Sequence, residues 1–270
     1  MNRTFETRAA RSGGAARCSA GAAALALALC GPAWAADRPV TLTGQPDLKP
    51  GIAAMPQIAA PADDAERRIN AALRRLDGNV RKAAQACRAE GGPNSSWERT
   101  IRTPMRGPGF LSVVIVDNAF CGGAHPNVST MAIVYDLATG APVDWTALLP
   151  ATLTGTVSLA AGADGTRMVT LAAKALHALY LMFYRRGAAA AKAEGDDAAC
   201  RETVADTTSG GPPAMMAWLD ARAGGLAVQF DLAHVVQACA DPVVIPTATL
   251  RREGAQPILI KALEAAHQAP

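Results

Sequence analysis

The residues of this chain best placed to do chemistry lie in one short stretch, Phe120-Cys121-Gly122-Gly123-Ala124-His125-Pro126-Asn127. It offers one imidazole, one side-chain amide and one sulfur. The two glycines let the backbone turn sharply, and Pro126 stiffens the exit. Gly122, Gly123, His125 and Asn127 are therefore candidate binding residues, joined by His234, which sits in a later turn near Cys239. Two turn histidines do not make a metal centre, and with the cysteines oxidised only carboxylates such as Asp117 or Asp241 could complete one. Neither a metal nor a cofactor is expected. His177 falls inside an apolar stretch and His267 near the C-terminus, which points to core and surface roles.

Acid–base chemistry would need a carboxylate pair. Asp117, Asp136 and Asp144 could supply one of glycosidase type. All three fall at strand ends, however, where aspartate commonly accepts turn hydrogen bonds. The chain has no G-x-S-x-G elbow, P-loop, H-E-x-x-H or G-x-G-x-x-G pattern. No catalytic residue is assigned. The three tryptophans beyond the leader, Trp97, Trp145 and Trp218, do not cluster in sequence, which weakens a sugar-binding platform.

The elements that must position the loop are legible. Leu111 to Val116 is a β-branched apolar run expected as a buried strand within Phe110–Phe120, and Val128 to Tyr135 as its hairpin partner. Trp97 to Thr103 alternates as a third strand. Asp63, followed by Glu66, reads as a capping box opening a helix. Ile69, Leu73, Leu76, Val80, Ala84 and Cys87 then mark its buried face. The arginines between them, such as Arg68, Arg74, Arg75 and Arg81, are expected on a solvated surface. Residues 151–167 are ambiguous, with three glycines arguing for loop; Val169 to Arg186 reads as a buried helix. Ala214 to Leu219 and Leu226 to Phe230 form a second hairpin, with Val243 to Ile245 a further short strand.

Residues 1–35 read as an export leader: four arginines, an apolar run over 20–29, and Ala33-Trp34-Ala35 as a cleavage pattern after Ala35. Residues 36–62 are a Pro/Ala-rich segment with an extended linker over 46–61, residues 63–256 the main domain, and 257–270 a terminal helix or tail. The whole chain carries 26 basic and 23 acidic residues. The leader accounts for that excess, so the exported part is charge-neutral and offers no basic face for nucleic acid. No later stretch could span a bilayer. The protein is expected in the periplasm or outside the cell.

Four cysteines remain after the leader: Cys87, Cys121, Cys200 and Cys239. In an oxidising compartment they form a disulfide framework with three conceivable pairings. Cys87–Cys121 and Cys200–Cys239 are expected, because each joins a helix end to a strand end. Cys87 paired with Cys200 or Cys239 would place the first helix elsewhere. The fold class is α+β, an antiparallel sheet of about four to six strands with helices on one face and two disulfides.

The run Gly122-Gly123-Ala124-His125-Pro126-Asn127, then Asp136-Leu137-Ala138-Thr139-Gly140 and Leu148-Leu149, resembles the RsiV-like domain of unknown function. The segments Gly225 to Asp231, His234-Val235 and Val244-Ile245-Pro246 resemble that family's closing pattern, so the likeness covers residues 63–252. The family includes the extracellular part of a lysozyme-sensing anti-sigma factor and a non-catalytic region of a peptidoglycan deacetylase. The resemblance implies a non-catalytic binding domain at the cell envelope that recognises lysozyme or peptidoglycan. A complete anti-sigma factor is not expected, since no transmembrane or cytosolic part is seen. Ala233, Val236 and Ala238 stand where the family often has aromatics. The alternative is a small hydrolase acting on peptidoglycan or another envelope glycan.

Overall fold

The structure, a computed structural model, describes residues 38–191, 197–206, 211–230 and 239–268. Its centre is the helix α1, Asp64–Gly91, laid along a three-stranded antiparallel meander. Asp63 caps α1 by accepting the Glu66 N–H at 2.9 Å. The Glu66 carboxylate reaches back to the Ala62 N–H at 2.7 Å and to Arg38 at 2.6 Å, one residue further out than in the standard capping box. Ile69, Leu73, Leu76 and Val80 are buried along one stripe, as the 3.6-residue period requires.

The meander is β3 (Ser96–Arg106), β4 (Phe110–Phe120) and β5 (Asn127–Asp136), in that order. Its register pairs Ile115 with Met131 and with Ile101. The segment read as a linker lends residues to the core. Strand β1 (Leu42–Thr43) pairs with β2 (Gln57–Ile58), Ile52 bridges to Arg99, and Met55 and Ile58 are buried. This segment covers the outer edge of β3, whose unpaired backbone would otherwise invite another strand.

Beyond β5 come the one-turn helices α2 (Trp145–Leu148) and α3 (Ala151–Thr154), then β6 (Thr156–Ala161) and β7 (Arg167–Ala172). This corrects two expectations. The glycines of 151–167 bracket a strand instead of making a loop: Gly155 ends α3, and Gly162 follows β6. The apolar run begun at Val169 is strand first and helix second. Val169 and Leu171 pair with Leu159 and Val157, and helix α4, Lys174–Ala191, starts only after Ala173. A strand running straight into a helix gives the appearance of apolarity all round.

Helix α5 (Asp197–Ala205) is followed by β8 (Met215–Asp220), β9 (Gly225–Phe230) and β10 (Val243–Pro246), completing a five-stranded sheet in the order β10-β9-β8-β7-β6. Short α6 (Thr247–Arg252) and α7 (Pro257–Gln268) close the chain. The free part of the β8 edge abuts the meander. There the Leu219 N–H donates to Ser112 Oγ at 3.1 Å and the Ala221 N–H to Pro104 O at 3.0 Å, so buried donors at that edge are satisfied. The fold is thus α+β with antiparallel sheets and the disulfides Cys87–Cys121 and Cys200–Cys239, the pairing expected from the sequence. His177 is buried on α4, its Nε2 at 2.9 Å from Val204 O and its ring edge-on to Phe230.

Candidate binding site

The Gly-Gly-Ala-His loop joins β4 to β5 at one end of the meander. Gly122 through Val128 are all exposed. Both glycines use the left-handed backbone region, with φ of 92° and 105°, so neither position suits a residue with a side chain. Cys121 is tied to Cys87, four residues before the end of α1. The helix end also comes very close to the loop: a Cβ built on Gly91 would lie 2.5 Å from the Cys121 carbonyl carbon. The loop base is therefore clamped by a covalent bond and a backbone-to-backbone contact, while the tip stays in solvent. Gly91→Ala should push the helix end off the loop and lower the unfolding free energy by about 1–3 kcal/mol. Gly123 has nothing within 4 Å of its missing Cβ, so Gly123→Ala should cost only the backbone strain of about 1–2 kcal/mol. Chemical denaturation of both variants checks the order.

His125 sits on this exposed tip, and Asn127 is exposed at the start of β5, opposite Ala119. His234 lies outside the described residues. The three aspartates weighed as a hydrolytic pair are all engaged in local or buried structure. Asp136 accepts the Ala138 and Thr139 N–H groups at 2.7 and 2.9 Å. Asp144 caps α2, and the Thr146 hydroxyl, then the Thr146 N–H, hold its carboxyl below the usual range. A carboxyl so held is a poor proton donor at neutral pH.

Asp117 belongs to a buried ionic cluster that sequence reasoning missed. The Arg99 side chain is fully buried. It donates Nε and Nη2 to the two Asp117 oxygens at 2.7 and 2.6 Å, and Nη2 also to Asp164 at 2.7 Å. Trp97 Nε1 donates to Asp117 at 3.0 Å, and Asp164 accepts the Thr166 N–H at 2.8 Å. Burial works against the Arg99 charge, but the hydrogen bonds and charges of Asp117 and Asp164 outweigh it, and its pKa lies above the ordinary arginine value. Asp77 of α1, half-buried nearby, accepts the Met55 N–H at 2.9 Å. Burial raises its carboxyl above the usual range against the opposing pull of that N–H and then of Arg99. The Arg99 cluster ties β3 and β4 to the β6–β7 turn, and the separate Asp77–Met55 bond ties α1 to the N-terminal segment.

With this geometry in view, solved structures offer a match. The fold resembles that of a DUF3298-family protein. That protein, from Pseudomonas aeruginosa PAO1, superimposes with a TM-score of 0.52 and 15% identity, over 83% of this chain and 98% of its own. A DUF3298-family member from Bacteroides fragilis aligns at a TM-score of 0.43, also at 15% identity, over 74% of this chain and 68% of its own. The first likeness is one of fold. It fits the class of domain of unknown function suggested by the glycine-loop motif. No family model matches the sequence, and no curated protein does.

A second feature absent from the sequence reading is a cleft of about 590 Å³ between α1 and strands β5, β6 and β7. Arg68 and Arg75, expected on a solvated surface, line its α1 side, and Arg167 lines it from β7. The available signal was the seven-residue spacing of Arg68 and Arg75, which stacks them two turns apart on one helix face. Arg167 had no local signal. Among the described residues no group of three or more His, Cys, Asp or Glu could hold a metal ion.

Proposed function

We propose that this protein is an exported, non-catalytic binding domain of the cell envelope, and that the loop Gly122–Val128 is its recognition surface. Its ligand is a lysozyme-like protein or the peptidoglycan that such a protein attacks. The reading rests on one observation: an exposed loop whose base is held by Cys87–Cys121 and by the Gly91 contact. A loop anchored at its base loses less entropy when it docks than one that is free at both ends. It presents an imidazole, an amide, Pro126 and the 39% exposed Val128 side by side, a mixture suited to a protein or glycan surface.

Export agrees with the two disulfides, which persist in oxidising compartments. Cleavage after Ala35 would leave all of the described residues in the exported part. Among the described residues no helix is long and apolar enough to cross a membrane.

The test is a pull-down with lysozyme and with purified peptidoglycan as separate baits. The oxidised wild type should be retained by one of them. His125→Ala should weaken retention at least tenfold in a protein that stays folded under the assay conditions. Retention unaffected by His125→Ala, or no retention on either bait, would remove the loop as the recognition surface.

A further inference from the structure

The cleft beside α1 carries a second, separate inference. One wall is the α1 stripe of Ala72, Arg75, Leu76 and Asn79; the other is built from β5, β6 and β7 with Trp145 at one end. Its volume of about 590 Å³ falls inside the usual range for small-molecule sites, roughly 300–1,000 Å³. The lining is mostly apolar, with Ile133, Val134, Trp145, Leu159 and Met168 contributing.

Every charged residue that lines the cleft is an arginine: Arg68, Arg75 and Arg167. Arg68 donates to the Thr139 carbonyl at 2.8 Å. Arg75 and Arg167 have no carboxylate partner among the described residues. An apolar cavity lies beside them. At the wall sits Tyr135, only 2% exposed, whose hydroxyl makes no hydrogen bond among the described residues. Burial pushes that hydroxyl up to about 12 against the pull of Arg75, so it stays a neutral donor at physiological pH. That hydroxyl can donate to an acceptor placed in the cleft.

The apolar surface continues out of the cleft. Leu159 of β6 is 53% exposed at the cleft, and Val157, on the same face of that strand two residues away, is 42% exposed. β6 is the edge of its sheet.

We propose that this cleft binds an amphipathic anion, a single acyl chain with a carboxylate or phosphate head. The head lies among Arg75, Arg167 and the Tyr135 hydroxyl, and the chain lies over Ile133, Met168 and Leu159. The neutral chain explains the apolar lining, and the anionic head explains three cations with no acid among them. An acyl carboxylate and an acyl phosphate share this chemistry. The site is independent of the Gly122–Val128 loop: Tyr135 lies eight residues along β5 from Asn127, roughly 26 Å of strand.

The experiment titrates the oxidised protein with dodecanoate, dodecyl phosphate and dodecanol below their aggregation limits, reading tryptophan fluorescence and calorimetric heat. Trp145, buried at 4% exposure in the lining, supplies the optical signal. At least one of the two anions should bind saturably, and dodecanol should bind at least tenfold more weakly; which anion binds more tightly names the head group. Arg75→Gln and Arg167→Gln should each weaken the anion about tenfold, the worth of a hydrogen bond to a charged group. Both side chains are exposed, so these variants should fold normally. Ala72→Trp, which fills the cleft from α1, should abolish binding in a protein whose circular dichroism is unchanged. Dodecanol binding as tightly as the anions would overturn the proposal. So would arginine variants with unaltered affinity, undiminished binding to a folded Ala72→Trp, or no saturable binding of either anion. Loss of bait retention by the His125 variant bears on the loop alone and leaves these outcomes untouched.

Discussion

Replacing Arg99 with methionine should lower the stability of the protein by about 3–5 kcal/mol, the cost of leaving a buried charge without its partner. The side chain is fully buried, and it holds both Asp117 and Asp164. Methionine fills a similar volume, so little of the loss comes from a cavity. What is lost is the compensation of two carboxylates, one of which also accepts the Trp97 indole N–H. The double change Arg99→Met, Asp117→Leu removes one orphaned charge and should recover part of the loss, as replacing a buried pair by apolar groups often does. Urea denaturation followed by far-ultraviolet circular dichroism measures both. A single variant as stable as wild type would mean that the cluster does not hold the meander to the β6–β7 turn.

Removal of the Cys87–Cys121 bond has an effect of similar size. The disulfide closes a separation of 34 residues. Chain-entropy reasoning gives such a loop about 4 kcal/mol at room temperature. Against a typical total of about 5–15 kcal/mol this is a large fraction. The double variant Cys87→Ala, Cys121→Ala should therefore unfold at a clearly lower denaturant concentration. It should also free the loop base, leaving the Gly91 contact as the remaining clamp. Amide exchange of residues 121–128 should then accelerate more than that of β9, which lies in the other sheet. Equal acceleration everywhere would make the bond a global brace with no particular hold on the loop.

How far these features could be read in the sequence depends on their range. Helix α1 is local: its period and the Asp63 cap fall in one window, and the buried stripe Ile69 to Cys87 forms as read. The β4–β5 hairpin is nearly local, because Gly122 and Gly123 announce the turn. The disulfides could be inferred because each cysteine marks the end of an element. The β6–β7 pair was misread because glycines at both ends of a short strand look like the glycines of a loop. Continuity of Met168 to Leu171 with α4 then erased the boundary between the two elements.

The two polar features that matter most were not legible. Arg99 and Asp164 stand 65 residues apart and meet only because the β6–β7 turn folds over the meander. Asp117 looked like a strand-end turn residue, and nothing around it in sequence announces a buried arginine. The cleft likewise joins Arg75 of α1 to Arg167 of β7 across the fold. Helical spacing could place Arg68 beside Arg75, but not an apolar hollow in front of them. Chemistry assembled from one turn can be read early, whereas chemistry assembled from distant strands needs the topology first.

The measurement that tests the recognition surface most directly is hydrogen exchange of the oxidised protein, alone and with whichever of lysozyme or soluble peptidoglycan fragments it retains. The account predicts new protection of the amides of residues 121–128, centred on His125 and Asn127, with the cleft residues of α1 unchanged. Protection confined to any other surface, with the loop exchanging as freely as before, would contradict it.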